Sequence, residues 1–180
     1  MLRTGLGRIL SAPPAWSRAT ATNAPGVSWV HGSNIGLAES SDGGATWTYR
    51  GPAAISYGKD THPNDFTYWA PEVIWHEGTW RMWYKDERAA KSLCCADSPD
   101  LYRWEPKGSA VTNFNGEGPK VIHWKGKYWL IADCWQNGMR VWHSDDCLAW
   151  NLPDPALLGS HGNVVVSGDR AWWFYFGGPR

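Results

Sequence analysis

Residues 121–133 read VIHWKGKYWLIAD, and residues 140–150 read RVWHSDDCLAW. The first stretch is two β-rich runs around a tight polar turn at Gly126, the signature of a hairpin. The second is an apolar, strand-like run that ends in a Ser/Asp turn and then a tryptophan. Both patterns recur. The hairpin returns as VIWHEGTWRMWYK (73–85) and VVVSGDRAWWFYF (164–176), with Gly78 and Gly168 in the turns. The Ser/Asp segment returns as IGLAESSDGGATW (35–47) and LCCADSPDLYRW (93–104). Helix-period stretches of useful length are missing, so the chain reads as all-β.

Val73, Val121 and Val164 open the three hairpins, 48 and 43 residues apart. A hairpin followed by a Ser/Asp hairpin makes four strands, and a four-stranded unit repeated at that period is the blade of a β-propeller. The expected fold is therefore a propeller of four-stranded antiparallel blades. It is incomplete. The first unit (27–50) shows only the later strands of a blade and the last (162–180) only the earlier ones. That gives about three blades' worth of strands, against the ~4–8 blades of a closed ring. The outer pieces could pair with each other. An open fan would instead expose Trp-rich faces and strand edges, which invites association.

The remaining composition narrows the function classes. A chain of 180 residues suits one domain, read as a disordered or unrelated tail at 1–23 and the partial propeller at 24–180. Seventeen basic and 17 acidic residues balance, so neither a nucleic acid nor an acidic membrane surface is an expected partner. No run of 18 apolar residues points to a membrane span. The segment MLRTGLGRILSAPPAWSRATAT (1–22) has arginines and no acid, weakly like a transit peptide. Gly5, Gly7 and Arg8 interrupt it as a secretory signal, and it reads best as an unprocessed tail. The address stays open between cytoplasmic and secreted. Cys94, Cys95, Cys134 and Cys147 fit no zinc spacing and read as reduced, buried thiols. The 15 tryptophans are expected mostly in the core, with some in a cleft where an indole face can stack on a sugar ring.

The turn SSDGGATW (40–47) has its own logic. The Asp42 carboxylate can accept backbone N–H bonds within the turn, and Trp47 then packs on the hairpin. The segment resembles the Asp box of sialidase-like propellers, where it is structural, so Asp42 is expected to pin a turn.

Four further segments, YWAPEVIWHEGTW (68–80), RMWYKDERAAKSLCCADSPDLYRW (81–104), GEGPKVIHWKGKYWLIADCW (116–135) and GSHGNVVVSGDRAWWFYF (159–176), resemble glycoside hydrolase family 43. These are five-bladed propeller enzymes acting on arabinose- and xylose-containing glycans, and the likeness covers about residues 24–178. It implies an oligosaccharide or polysaccharide substrate and an inverting mechanism with three acids: an Asp base, a pKa-tuning Asp and a Glu general acid. Glu117 matches the general acid in its EGP context. Apolar surroundings would raise its pKa so that it can protonate the leaving oxygen. The family's base lies in a D-P-like context on the first blade, which this sequence lacks. The tuning Asp would sit in a stretch lost where WAPEVIWHEGTW runs straight into RMWYKDE. Asp65 and Glu72, which flank WAPE, are the substitute candidates for a catalytic carboxylate.

The resemblance also places His161 near the propeller axis, where a calcium or its waters often sit. No cofactor is expected to be required, and a structural calcium is the one candidate. Trp69 and Trp135 are expected as cleft aromatics. His31, with Asn34, is placed near the cleft, and Arg140 as a hydrogen-bonding or acid-pairing residue beside it. Three functional readings follow: a weak or inactive family-43-like glycosidase, a non-catalytic carbohydrate-binding propeller, or an inactive gene fragment.

Overall fold

A computed structural model describes residues 8–11, 35–55, 68–86, 92–151 and 154–177. His31, Asn34 and Asp65 lie outside them. The described residues contain no α-helix; they form strands and one 3-10 turn at Trp135–Asn137. A three-stranded sheet comprises β1 (Arg8–Ser11), β2 (Gly36–Glu39) and β3 (Thr48–Pro52). The next comprises β5 (Tyr68–His76), β6 (Thr79–Asp86), β7 (Leu93–Ser98) and β8 (Arg103–Val111), paired antiparallel in chain order. The short β4 (Ala54–Ile55) adds to β8 in parallel. A four-stranded sheet follows with β9 (Glu117–Trp124), β10 (Lys127–Asp133), β11 (Met139–Ser144) and β12 (Asp154–Leu157). A hairpin of β13 (Ser160–Ser167) and β14 (Arg170–Phe176) ends the described chain.

The hairpin turns form where the sequence placed them. Glu77–Gly78 and Lys125–Gly126 both have two consecutive positive φ angles, as a two-residue type I′ turn requires. One feature departs from expectation: Arg8–Ser11, inside the stretch read as a tail, pairs antiparallel with β2.

Successive sheets stack face to face, and the period of two along each strand shows how. Met82 and Tyr84 on β6 face a cluster with Ile35, Tyr68, Cys94 and Trp104. Trp83, between them, faces the opposite way, against Leu130, Ala132 and Trp142 of the next sheet. Ile131 on β10 in turn meets Val164 and Trp173 of the last hairpin. Burying one such large side chain contributes on the order of 1.5–3 kcal/mol, so these seams hold the stack. Two polar links cross the same seam. Arg81 pairs with Asp97 at 2.7 Å and donates to the Cys147 carbonyl at 3.2 Å. His76 Nδ1 and the Tyr128 hydroxyl share a hydrogen bond of 2.9 Å. The first strands β5, β9 and β13 lie side by side at the common inner edge, with β5 and β9 in the broadest contact.

The cysteines are free. Cys94, Cys134 and Cys147 are buried, and burial pushes each thiol up to about 12. Tryptophan divides more evenly than expected. Trp83, Trp104 and Trp142 are fully buried, whereas Trp47, Trp75 and Trp172 are exposed. Trp47 does not pack into a core, although its indole N–H donates to the Gly44 carbonyl at 3.0 Å just as that of buried Trp104 donates to the Leu101 carbonyl.

The Ser/Asp turns share one design, with the turns at Asp100 and Asp146 matching bond for bond and the one at Asp42 longer. Ser40, Ser98 and Ser144 each donate a hydroxyl to the aspartate two residues on, at 2.7, 3.3 and 2.9 Å. Each aspartate accepts backbone N–H bonds from the far side of its turn: Thr46 to Asp42, Tyr102 and Arg103 to Asp100, Leu148 and Ala149 to Asp146. These bonds favour the charged form, and all three carboxyls titrate below the usual range. A depressed pKa stabilises the fold above the unfolded value of 3.8 and loses that effect as pH falls. Asp100→Ala is therefore expected to lower Tm at pH 7, with the gap to the parent closing below about pH 3.8; thermal melts from pH 3 to 7 read both effects.

Candidate functional site

The EGP segment opens β9 at the inner edge of its sheet, and its glycines are there for clearance. A Cβ on Gly116 would meet the Asp133 carbonyl and Cys134 Sγ, each at 3.1 Å. Gly118 has φ +55, and a Cβ there would sit 3.1 Å from His161 Nδ1. The two glycines let the end of β10 close in from one side and the His161 ring from the other. Glu117 between them is 8 % exposed.

Register supplies a second acid. Counting back from the Lys125–Gly126 turn, β9 and β10 pair in step until a bulge near Ile131–Asp133, which sets Asp133 directly opposite Glu117. Asp133 is buried. From the neighbouring hairpin, His161 brings Nε2 to 2.9 Å from Glu117 Oε1 and 3.7 Å from Asp133 Oδ2. One donor atom from each of the three lies within 4.8 Å of the others. Burial raises the pKa of Glu117, the Asp133 charge adds to the rise, and His161 opposes it. The site is thus a buried carboxyl biased toward its protonated form, with a second carboxyl behind it and a half-exposed imidazole in front.

Asp133 was not singled out in the sequence. The sequence brings it only as far as the end of the hairpin run VIHWKGKYWLIAD; register counted in step from the turn sets it opposite Gly118, and the bulge moves it to Glu117.

The other candidates fall into separate places. Glu72, on β5, is paired with Lys120 of β9 at 3.0 Å. Burial raises its pKa, and Lys120 pulls the other way. Its carboxylate joins the two inner strands. Trp69 is half-buried on β5, opposite Lys85 in the β5–β6 register. Lys85 is itself fully buried, with Nζ 4.8 Å from the centre of the Trp135 ring. Trp135 follows directly from Asp133, whose Oδ1 accepts its backbone N–H at 2.8 Å. That bond helps hold Trp135 at φ +52, a conformation costing a non-glycine residue on the order of 1–3 kcal/mol. Arg140 neither reaches Glu117 nor forms an ion pair among the described residues. Its guanidinium lies over the Phe114 ring at 4.8 Å, and its Nε has no hydrogen-bond partner.

No family model matches the sequence, and no curated protein matches it. Solved structures do resemble the fold. A family 117 glycoside hydrolase from the marine bacterium Zobellia galactanivorans superposes with a TM-score of 0.61 at 20% identity, over 74% of this chain and 46% of its own. An α-L-arabinofuranosidase from Clostridium thermocellum gives 0.59 at 14% identity, over 79% and 52%. An α-L-arabinanase from Cellvibrio cellulosa gives 0.57 at 20% identity, over 77% and 56%. The chain spans about half the length of these structures. Over the matched part the chain shares the fold of these structures, in antiparallel sheets stacked around a shared inner edge.

The raised pKa of Glu117 has a measurable sign. A carboxyl whose native pKa lies above its unfolded value of 4.5 stabilises the fold below that pH and loses the contribution as pH rises through the native pKa. Glu117→Gln, which cannot ionise, is expected to match the parent's Tm at pH 4 and exceed it at pH 8.

Proposed function

We propose that the chain is a glycosidase-type propeller domain in which Glu117 is the proton donor to a glycosidic oxygen. The observation that supports this most directly is the burial of Glu117 at the inner mouth of a sheet, which raises its pKa, with the Asp133 charge opposite it adding to the rise. A general acid needs this property, and a solvated carboxylate lacks it. Solved structures of similar fold include an arabinofuranosidase and an arabinanase, which supports an arabinose- or xylose-containing glycan as substrate.

Asp133 suits the tuning role and not that of the base. Inversion holds acid and base about 6.5–9.5 Å apart so that a water fits between them. Asp133 has a carboxylate oxygen within 4.8 Å of Glu117. Glu72 is engaged by Lys120. Neither of these two therefore suits the base; Asp65, which lies outside the described residues, is the remaining candidate from the sequence. We expect slow turnover. The carbohydrate-binding reading gains from the same geometry, since recognition needs the cleft and not the base.

The test uses leaving groups of different basicity. A nitrophenolate leaves with little help, whereas a sugar alkoxide needs a proton. Glu117→Gln is expected to reduce kcat/KM on arabino- or xylo-oligosaccharides by about 10²-fold or more, and to affect nitrophenyl glycosides far less. Unchanged turnover of the oligosaccharides would remove the assignment.

Glu117, Asp133 and His161 lie close enough together to meet one calcium ion, but an ion bound directly by Glu117 would hold it ionised, so this is an alternative to its role as proton donor. Calcium takes about 6–8 oxygen ligands, and these residues supply two carboxylates and a nitrogen. They fit the edge of a hydrated ion, whose chemistry would be to fix charge at the inner mouth. A rise in Tm with added calcium, absent in His161→Ala, is the expected result; no calcium response in the parent would count against the site.

A further inference from the structure

The three hairpins repeat one seam. Trp83 on β6, Ile131 on β10 and Phe174 on β14 stand at the same distance from their turns. Trp83 packs against Leu130, Ala132 and Trp142 of the following sheet, and Ile131 against Val164 and Trp173 of the last hairpin. Phe174, in the same place, is 61 % exposed. Alternation along β14 sets Trp172 and Phe176 on its face, and both are exposed as well. Val165, opposite Trp172 in the register, continues the patch. The outer edge of β14 is open among the described residues, whereas β6 and β10 each pair with a third strand.

The first sheet presents the other half of the same seam. Aligned on the serines of the Ser/Asp turns, Ala38 of β2 takes the place of Trp142 of β11. Trp142 faces the preceding sheet, where Trp83 meets it. Ala38 has the same orientation. Its neighbour Glu39 accepts a hydrogen bond from the Tyr102 hydroxyl at 3.0 Å and so points to the following sheet, which turns Ala38 the other way. Tyr49, opposite Ala38 in the register, is 62 % exposed, and Trp47 before it is exposed too. A small residue stands where the other seam has an indole, which leaves room for the large rings of a hairpin laid over it.

The chain therefore carries two matching apolar faces, one at each end of its stack of sheets. Contiguous exposed apolar surface of this kind marks a site of association. The sheets turn about a shared inner edge, so a second copy rotated about that axis offers its first sheet to the hairpin of the first copy and its hairpin to the first sheet. A heterologous contact of this sort closes into a ring when its rotation divides the circle. One chain spans 46, 52 and 56% of the three propeller structures compared above, so two copies supply about a full turn. We propose that two copies of this chain close into one ring, each laying its β13–β14 hairpin on the first sheet of the other. This rests on the fold alone and not on the role of Glu117.

The test is sedimentation velocity of the full chain over a dilution series. The parent is expected to reach twice the chain mass and to stop there. Phe174→Asp and Tyr49→Asp each place a charge on one of the two faces. Both positions are exposed, so the variants should fold, and their Tm checks that; Phe176→Ser repeats the test on the hairpin face with a milder change. Each copy uses both faces, so either substitution falls in both contacts and is expected to weaken the dimer about 30-fold or more. An equal mixture of Phe174→Asp and Tyr49→Asp keeps one contact free of substitutions, and is expected to associate more strongly than either variant alone.

A parent that stays monomeric throughout would overturn the proposal, as would a mass that keeps growing with concentration, the mark of an open chain of copies. Dissociation by Phe174→Asp with no effect of Tyr49→Asp would show a hairpin-to-hairpin contact and overturn it too. So would a mixture no stronger than its components. Turnover by the Glu117→Gln variant bears on none of these outcomes, so the two readings stand or fall separately.

Discussion

The site depends on one register. If β9 and β10 stayed in step from their turn to their ends, Asp133 would face Gly118 and not Glu117. The bulge near Ile131–Asp133 absorbs one residue and sets the two carboxyls side by side. Burial makes ionising Glu117 costly, and the Asp133 charge beside it raises that cost further. His161, from the next hairpin, is the counterweight: it lies 2.9 Å from Glu117 and lowers what burial and Asp133 raise. The electrostatics of the inner mouth are thus set by three elements, and a shift in any of them would change the protonation of Glu117.

The stacking of the sheets puts those elements within reach. β6 shows the constraint clearly. Met82, Trp83 and Tyr84 are all fully buried although they point alternately to opposite faces, because a sheet covers each face. On β14, the residue at the same distance from its turn as Trp83 is Phe174, and it is 61 % exposed. Trp173, one residue earlier, packs toward Ile131 and is half-buried. The sequence pattern of the three hairpins is nearly the same. What differs is whether a further strand and a further sheet lie beyond, and among the described residues none lies beyond β14.

Much of the fold was legible because its signals are local. The hairpin turns carry Gly78 and Gly126, each preceded by a residue that takes positive φ, and the Ser-x-Asp turns use side chains that bond their own backbone. Such patterns need no partner to be read. The place of Glu117 at the mouth of a strand was legible too, through the glycines that flank it. Asp133 was not, because its role arises from a bulge, and nothing in YWLIAD marks where pairing slips by one residue. The Glu72–Lys120 pair was hidden for the same kind of reason: 48 residues of sequence separate partners that meet only when two inner strands pack.

Trp135 shows how sequence and structure divide the explanation. Read as an aromatic next to an acid-bearing hairpin, it suggests stacking on a sugar. In the structure one part of its ring environment is already taken by Lys85, and its backbone is held in a left-handed conformation by Asp133. The same aspartate therefore both raises the pKa of Glu117 and shapes the loop that follows β10. Removing its charge would relax Glu117, and removing its oxygen would release Trp135.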